Sequence, residues 1–207
     1  IVINPGIDPI KNLDQKSLSE VESLLSIKSP RLITVSRFDK RKNHEKVIMA
    51  LRNLKQIYPD IVYICIGYGD EEENIKKLVN ELDLGAQVMF FKDISNDLKN
   101  ALIAKSNIFV MPSIISKSSV EGFGIAYTEA AQYGIPSIGG KDGGASDAIE
   151  HEKTGLICDG NSLDEVYSSI NSMLENKKYL EYGKNAKDLV SKFYWPNILD
   201  KYRNIIN

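Results

Sequence analysis

The chain is poor in features that mark several classes of protein. It has two cysteines, Cys65 and Cys158, in 207 residues. They lie far apart, each inside an apolar run (IVYICIG and GLICDG), which reads as two buried free thiols and a reducing, cytoplasmic compartment. Excess charge of either sign is missing: 26 Lys and Arg are mixed with 28 Asp and Glu. That lacks the basic footprint of a nucleic-acid binder. No apolar run approaches the length that spans a bilayer. No GxGxxG follows the first apolar β-type run, which argues against a dinucleotide fingerprint and hydride chemistry. His, Cys and Asp nowhere fall at metal-ligand spacing, so no metal is expected. No internal repeat or low-complexity segment is visible. The opening IVINPGID starts without methionine inside an apolar run, and the expectation is a domain cut from a longer protein.

What is present suits one α/β domain. Hydrophobic residues make up 43% of the chain, enough for a sizeable core. Short β-branched and apolar runs predict strands at 31–38, 61–67, 87–91, 107–113, 135–140 and 155–159. Helix-period segments lie between them. Asn43 can cap a helix in which Val47, Ile48, Leu51, Leu54 and Ile57 share a face. EEENIKKLVNEL carries acids in its first turn, and Ser95 opens SNDLKNALIAKS. GGASDAIEH predicts one turn of helix. Two closing helices fill about 162–205, the first capped by Asn161 or Ser162. Strict alternation predicts a Rossmann-like doubly wound parallel sheet with helices on both faces. Such sheets bind ligands at the carboxyl ends of their strands.

The loops at those ends carry the candidate chemistry. The first strand leaves into SRFDKRKN, where Arg37 and Lys42 could neutralise a diphosphate or form an ordinary solvated basic loop. The second leaves into GYGDEEE, where Gly67 and Gly69 permit a tight turn. The fourth leaves into SSVEGFGIAYTEAAQYGIPSIGG, residues 118–140. Gly122 and Gly124 separate Glu121 from Glu129, so a helix is expected to start near Gly124, its free N–H groups making an anion site. Both carboxylates suit paired hydrogen bonds from sugar hydroxyls. Glu129, among Ala126, Ala130 and Ala131, is expected to be buried and to need a partner.

The run EGFGIAYTEAAQYGIPSI resembles the E-x7-E signature of retaining, GT4-like glycosyltransferases of the GT-B fold. NPGID, VSRFDKRKN, CIGYGDEEENIKKL, FVMPS, GGASDAIEHEKTGLIC and FYW resemble the segments around it, in the same order, over nearly the whole chain. The resemblance implies that residues 1–207 are the C-terminal, donor-binding half of a two-domain enzyme, the N-terminal acceptor domain being absent. It implies a nucleoside-diphosphate sugar as donor substrate, with no cofactor and no metal. Arg37 and Lys42 would hold the diphosphate. Glu121 would contact the transferred sugar without acting as a nucleophile. Backbone amides at Gly122, Phe123, Gly124 and Ile125 would bind sugar and phosphate oxygens. Glu129 would take the ribose, with the base near the loops after Gly67 and Phe91. The implied setting is surface polysaccharide or glycoconjugate synthesis, cytoplasmic, with any membrane contact made through the absent half. Alone, the fragment is expected to bind donor weakly and transfer nothing.

Departures from the family pattern are Ser36 and Asn43 where glycine is common, and Asp147 in place of glutamate. A side chain at 36 or 43 is expected to narrow the phosphate loop. His44 and His151 match no catalytic histidine and read as loop or helix-end residues. The competing classes are a non-catalytic partner or binding module and a nucleotide-sugar epimerase. The intact Arg37, Lys42, Glu121 and Glu129 oppose the first. The lack of further acids or a histidine opposes the second.

Overall fold

The computed structural model describes residues 2–10, 12–117 and 119–206, with side chains described through 204. Ile1, where the sequence opens, and Ser118, the first residue of the acid-and-glycine stretch, lie outside the described residues. Six parallel strands stand in the order β3-β2-β1-β4-β5-β6. They are β1 (Arg31–Val35), β2 (Val62–Ile66), β3 (Val88–Phe91), β4 (Ile108–Met111), β5 (Ser137–Gly140) and β6 (Gly155–Cys158). All six lie inside the ranges expected from sequence.

Alternating strand residues feed two cores. Leu32, Tyr63, Cys65, Ile108, Val110 and Ile138 face α2 (His44–Ile57), α3 (Glu72–Glu81) and α7 (Leu163–Leu174). Ile33, Val62, Ile64, Ile66, Phe109 and Met111 face α1 (Gln15–Leu24), α4 (Asn96–Ala104), α5 (Ile125–Gln132) and the single turn α6 (Ala145–Ala148). Cys65 and Cys158 are free and buried, and burial pushes the Cys158 thiol up to about 12. α8 (Lys178–Leu189) packs on α5, and α9 (Trp195–Ile206) closes the described chain.

Four expectations change. α1 was not anticipated; Asp14 caps it, accepting the Ser17 amide at 2.7 Å, and Val21 and Leu25 bury its inner face. The last predicted helix is two. α8 ends at Leu189, residues Val190–Phe193 tighten into a 3-10 turn, and Tyr194 goes extended to pair with Ile7 before α9 starts. Ile57 is 53% exposed, because it is the last residue of α2 and overhangs the core.

Asn43, in place at the start of α2, does not cap it. Its backbone is left-handed (φ 63°), and its buried side-chain amide donates to the carbonyls of Pro112 at 2.9 Å and Gly160 at 2.8 Å. Asn tolerates that backbone better than most residues, and its two N–H groups answer two carbonyls. One side chain thus fastens the loop after β1 to the ends of β4 and β6. Asn43→Gly keeps the backbone and loses both bonds, so urea unfolding should show a loss of about 1–3 kcal/mol. Asn43→Asp aims a carboxylate at the same carbonyls and should cost more. An aspartate variant as stable as the parent would remove this role.

Candidate active site

At the carboxyl edge the loops from β1 and β4 meet. Asp39 accepts the Lys42 amide at 3.2 Å and starts a 3-10 turn, Lys40–Lys42. The Arg41 carbonyl accepts the Ile114 amide at 2.9 Å. The turn therefore presents Arg41 and Lys42 to the β4 side, where both reach one carboxylate. Arg41 Nη1 and Lys42 Nζ each lie 2.5 Å from Glu121 Oε2. Glu121 is buried, 7% exposed, and charge pairing with hydrogen bonds is what makes a buried carboxylate tolerable.

Beyond Glu121 the chain enters α5. Gly124 is left-handed (φ 76°), and a Cβ there would overlap the Tyr127 ring, so this position requires glycine. A Cβ at Gly122 would meet nothing within 4 Å; it would enter the open cleft instead. Phe123 turns its ring inward, 5.1 Å from the Phe193 ring, and anchors the loop. Among the described residues, the amides of Phe123, Gly124, Ile125 and Ala126 have no hydrogen-bond acceptor. They are the free donors of a helix start. Lys42, Glu121, Gly122, Phe123, Gly124 and Ile125 line one cleft of about 380 Å³, with Pro5 of the NPGID segment at its side.

Three predicted site residues are placed elsewhere. Arg37 is exposed on the loop after β1 and joins none of the ion pairs among the described residues. Gly67 has φ 140°, and a Cβ there would overlap the Ser36 carbonyl. Its glycine is explained by the packing of the β2 loop on the β1 loop. Glu129 is not buried: its side chain is 36% exposed, 3.9 Å from Lys99 Nζ. It lines a second cavity of about 520 Å³ with Asn96, Asp97, Lys99 and Asn100. Arg41 and Lys99 were missed by sequence reasoning. The signal for Arg41 was the KRK run, in which Lys42 alone had been singled out.

Ser36 and Asn43 do not narrow the cleft. Ser36 Oγ lies 3.1 Å from Nε2 of His44, and Asn43 is turned toward Pro112 and Gly160. His44 is buried at the start of α2. Its Nδ1 lies 2.9 Å from the Tyr63 hydroxyl, which lies 2.7 Å from Thr34 Oγ1, and Thr34 donates to the Val110 carbonyl. Each hydroxyl has one proton, so Tyr63 donates to Thr34 and accepts Nδ1–H, leaving Nε2 as an acceptor that shares the single Ser36 proton with the Arg37 carbonyl, each 3.1 Å from Ser36 Oγ. His151, exposed after α6, accepts the Ile157 amide at Nδ1. Both histidines hold loops and helix ends.

These features define a Rossmann-like α/β fold with a cleft at its switch point, bordered by a paired lysine and glutamate and by the free amides of a helix start. Residues 17–189 match the family described as Glycosyl transferases group 1, and the chain belongs to that family. It is 26% identical over 208 residues to the GDP-mannose-dependent alpha-(1-6)-phosphatidylinositol monomannoside mannosyltransferase of Mycobacterium tuberculosis, covering 98% of this chain and 54% of that protein. Anabaena HepE, solved with UDP and glucose, superposes with a TM-score of 0.83 at 23% identity, covering 100% of this chain and 56% of that one. Sucrose-phosphate synthase from Thermosynechococcus elongatus gives 0.81 at 25% identity, covering 99% and 52%. The chain spans about half the length of these relatives.

Burial holds the His44 ring neutral, its pKa pushed down from 6.5 to about 3, with the Lys42 charge a smaller push the same way. The unfolded chain takes up this proton near pH 6.5 and the folded one only near 3, so stability falls with pH across that window. Between about pH 7 and about pH 5 the parent should lose about 2 kcal/mol more than His44→Gln in urea unfolding. Equal losses would show that the folded ring takes up protons freely.

Proposed function

We propose that this chain is the donor-binding half of a glycosyltransferase that moves a sugar from a nucleoside diphosphate to a glycan or other acceptor, with retention of configuration. The observation that carries the reading is the pairing of Lys42 with Glu121 at a cleft floored by the free amides of α5. Cation and amides suit the diphosphate. The glutamate suits sugar hydroxyls. The mannosyltransferase relative is named for GDP-mannose and the HepE structure holds UDP, two molecules that share a nucleoside diphosphate. Surface polysaccharide or glycoconjugate synthesis is the setting this activity serves.

Charge develops on the β-phosphate as the glycosidic bond breaks. Lys42 and the amides of α5 are the groups we assign to stabilise it, with Arg37, on the same loop, as a second cation. This assignment calls for no metal. Glu121 gives one oxygen to two cations, a poor state for a nucleophile, and fits a role in orienting the sugar while the acceptor attacks the front face. Glu129, with Lys99 beside it, takes the ribose hydroxyls. The acceptor is read by the other half of the enzyme, so this chain alone binds donor and transfers nothing.

Titration calorimetry with UDP, GDP and ADP should give saturable binding of one nucleotide, weakened about tenfold or more in Lys42→Ala and Glu129→Ala. Absence of binding at millimolar nucleotide, in the chain joined to its acceptor half as well as alone, would overturn the donor reading in favour of a partner module. Transfer by the chain alone would overturn the division of labour.

A further inference from the structure

Two cations share one carboxylate oxygen, yet only one of them lines the cleft. Lys42 does; Arg41 does not. Arg41 is held from three sides. Its Nη1 is 2.5 Å from Glu121 Oε2, its Nη2 is 3.5 Å from Asp39 Oδ2, and its carbonyl takes the Ile114 amide. Its side chain is 17% exposed, against 34% for Asp39, so the Asp39 contact is the more screened of the two. We propose that Arg41 is a positioning residue for the donor diphosphate, acting through Glu121: it neutralises the carboxylate and so leaves the Lys42 ammonium for phosphate. The inference rests on the donor reading above.

The charge count gives the reason. Asp39, Arg41, Lys42 and Glu121 together sum to zero charge beside the cleft, and without Arg41 the sum is −1. Lys42 then becomes the sole partner of a buried carboxylate and is held there, and an arriving diphosphate faces an anion with one cation where there were two. Arg41 never needs to touch the phosphate for its loss to weaken binding. Its guanidinium keeps a fixed positive charge at any working pH. Arg41 and Lys42 both take Oε2, which leaves Oε1 of the carboxylate for a sugar hydroxyl.

The test is a double-mutant cycle read by calorimetry with inorganic pyrophosphate and with whichever of UDP, GDP or ADP binds the parent. Arg41→Met should weaken pyrophosphate about tenfold or more. Glu121→Gln, which removes the competing anion, should bind it more tightly than the parent. If Arg41 acts through Glu121, its loss has no effect once the carboxylate is gone, and the double variant should bind within about threefold of Glu121→Gln. That non-additivity is the deciding result, because loop damage or a lost direct phosphate contact would weaken the Glu121→Gln background as much as it weakens the parent. A double variant weaker than Glu121→Gln by the same factor that separates Arg41→Met from the parent overturns the proposal, as does Arg41→Met without effect. Should Arg41→Met not fold, Arg41→Lys and Glu121→Gln decide it: the lysine should stay within about threefold of the parent, and a glutamine variant no tighter than the parent overturns the proposal. A parent that binds none of the three nucleotides, alone or with its acceptor half, fails at the donor reading and takes this inference with it; binding that survives every variant fails here alone.

Discussion

The site depends on the parallel pairing of β1 with β4. The chain lays down β1, β2 and β3 outward, then returns to place β4 on the free side of β1, in register through Leu32 with Ile108 and Ile33 with Phe109. From these neighbouring strands the chain leaves to opposite faces, to α2 from one and to α5 from the other. Two loops that part in this way leave a crevice between them. A crevice of this kind is only a gap until its walls are fixed. Here Asn43 and the Arg41 carbonyl bind the β1 loop to the β4 loop, and Gly124 turns the chain so that α5 opens its amides into the space.

Two ionisable groups sit buried in that wall, His44 and Glu121, the latter paired with Lys42 two residues before His44, and the fold treats them oppositely. His44 is kept neutral; burial makes the charged ring too costly, and hydroxyls of Tyr63 and Ser36 answer both nitrogens. Glu121 is kept next to two cations instead. A neutral, fully bonded relay holds geometry without adding field, and Thr34, Tyr63 and His44 carry it from β4 across β1 and β2 to α2. A charged cluster creates field at the cleft, where an anionic ligand can use it. Replacing either solution by the other would leave the loop fixed without field, or charged without a scaffold.

The sheet was legible because strands buried on both faces read as near-continuous apolar runs, as in VYICI and IFVM. α1 was not, because its pattern is short and its worth comes from packing against α4. Asn43 was placed at the right boundary with the wrong partner. Asn after a loop looks the same whether its side chain caps a helix or reaches Gly160, which is 117 residues away. Lys42, read from the basic loop after β1, and Glu121, read from a glycine-flanked helix start, are brought together by the fold as an ion pair. Arg41 was hidden by its neighbours: in a KRK run, the tight turn alone decides which side chains face inward. Glu129 misled through its alanines. Ala130 and Ala131 are buried, but the helical period turns residue 129 to the edge, toward Lys99.

The position of Glu129 limits what kind of ligand this edge can serve. Glu121 and Glu129 open into different cavities, with the first turn of α5 between them. From Ile125 to Glu129 the helix rises about 6 Å. A free sugar or a lone phosphate could engage one cavity and leave the other idle. A ligand using both must be long, with hydroxyls toward each end and negative charge near the helix start. A nucleoside-diphosphate sugar has that order: sugar hydroxyls, two phosphates, then ribose. The exposure of Glu129, which overturns its reading as a buried acid, thus gives the two carboxylates a separation that suits the proposed donor.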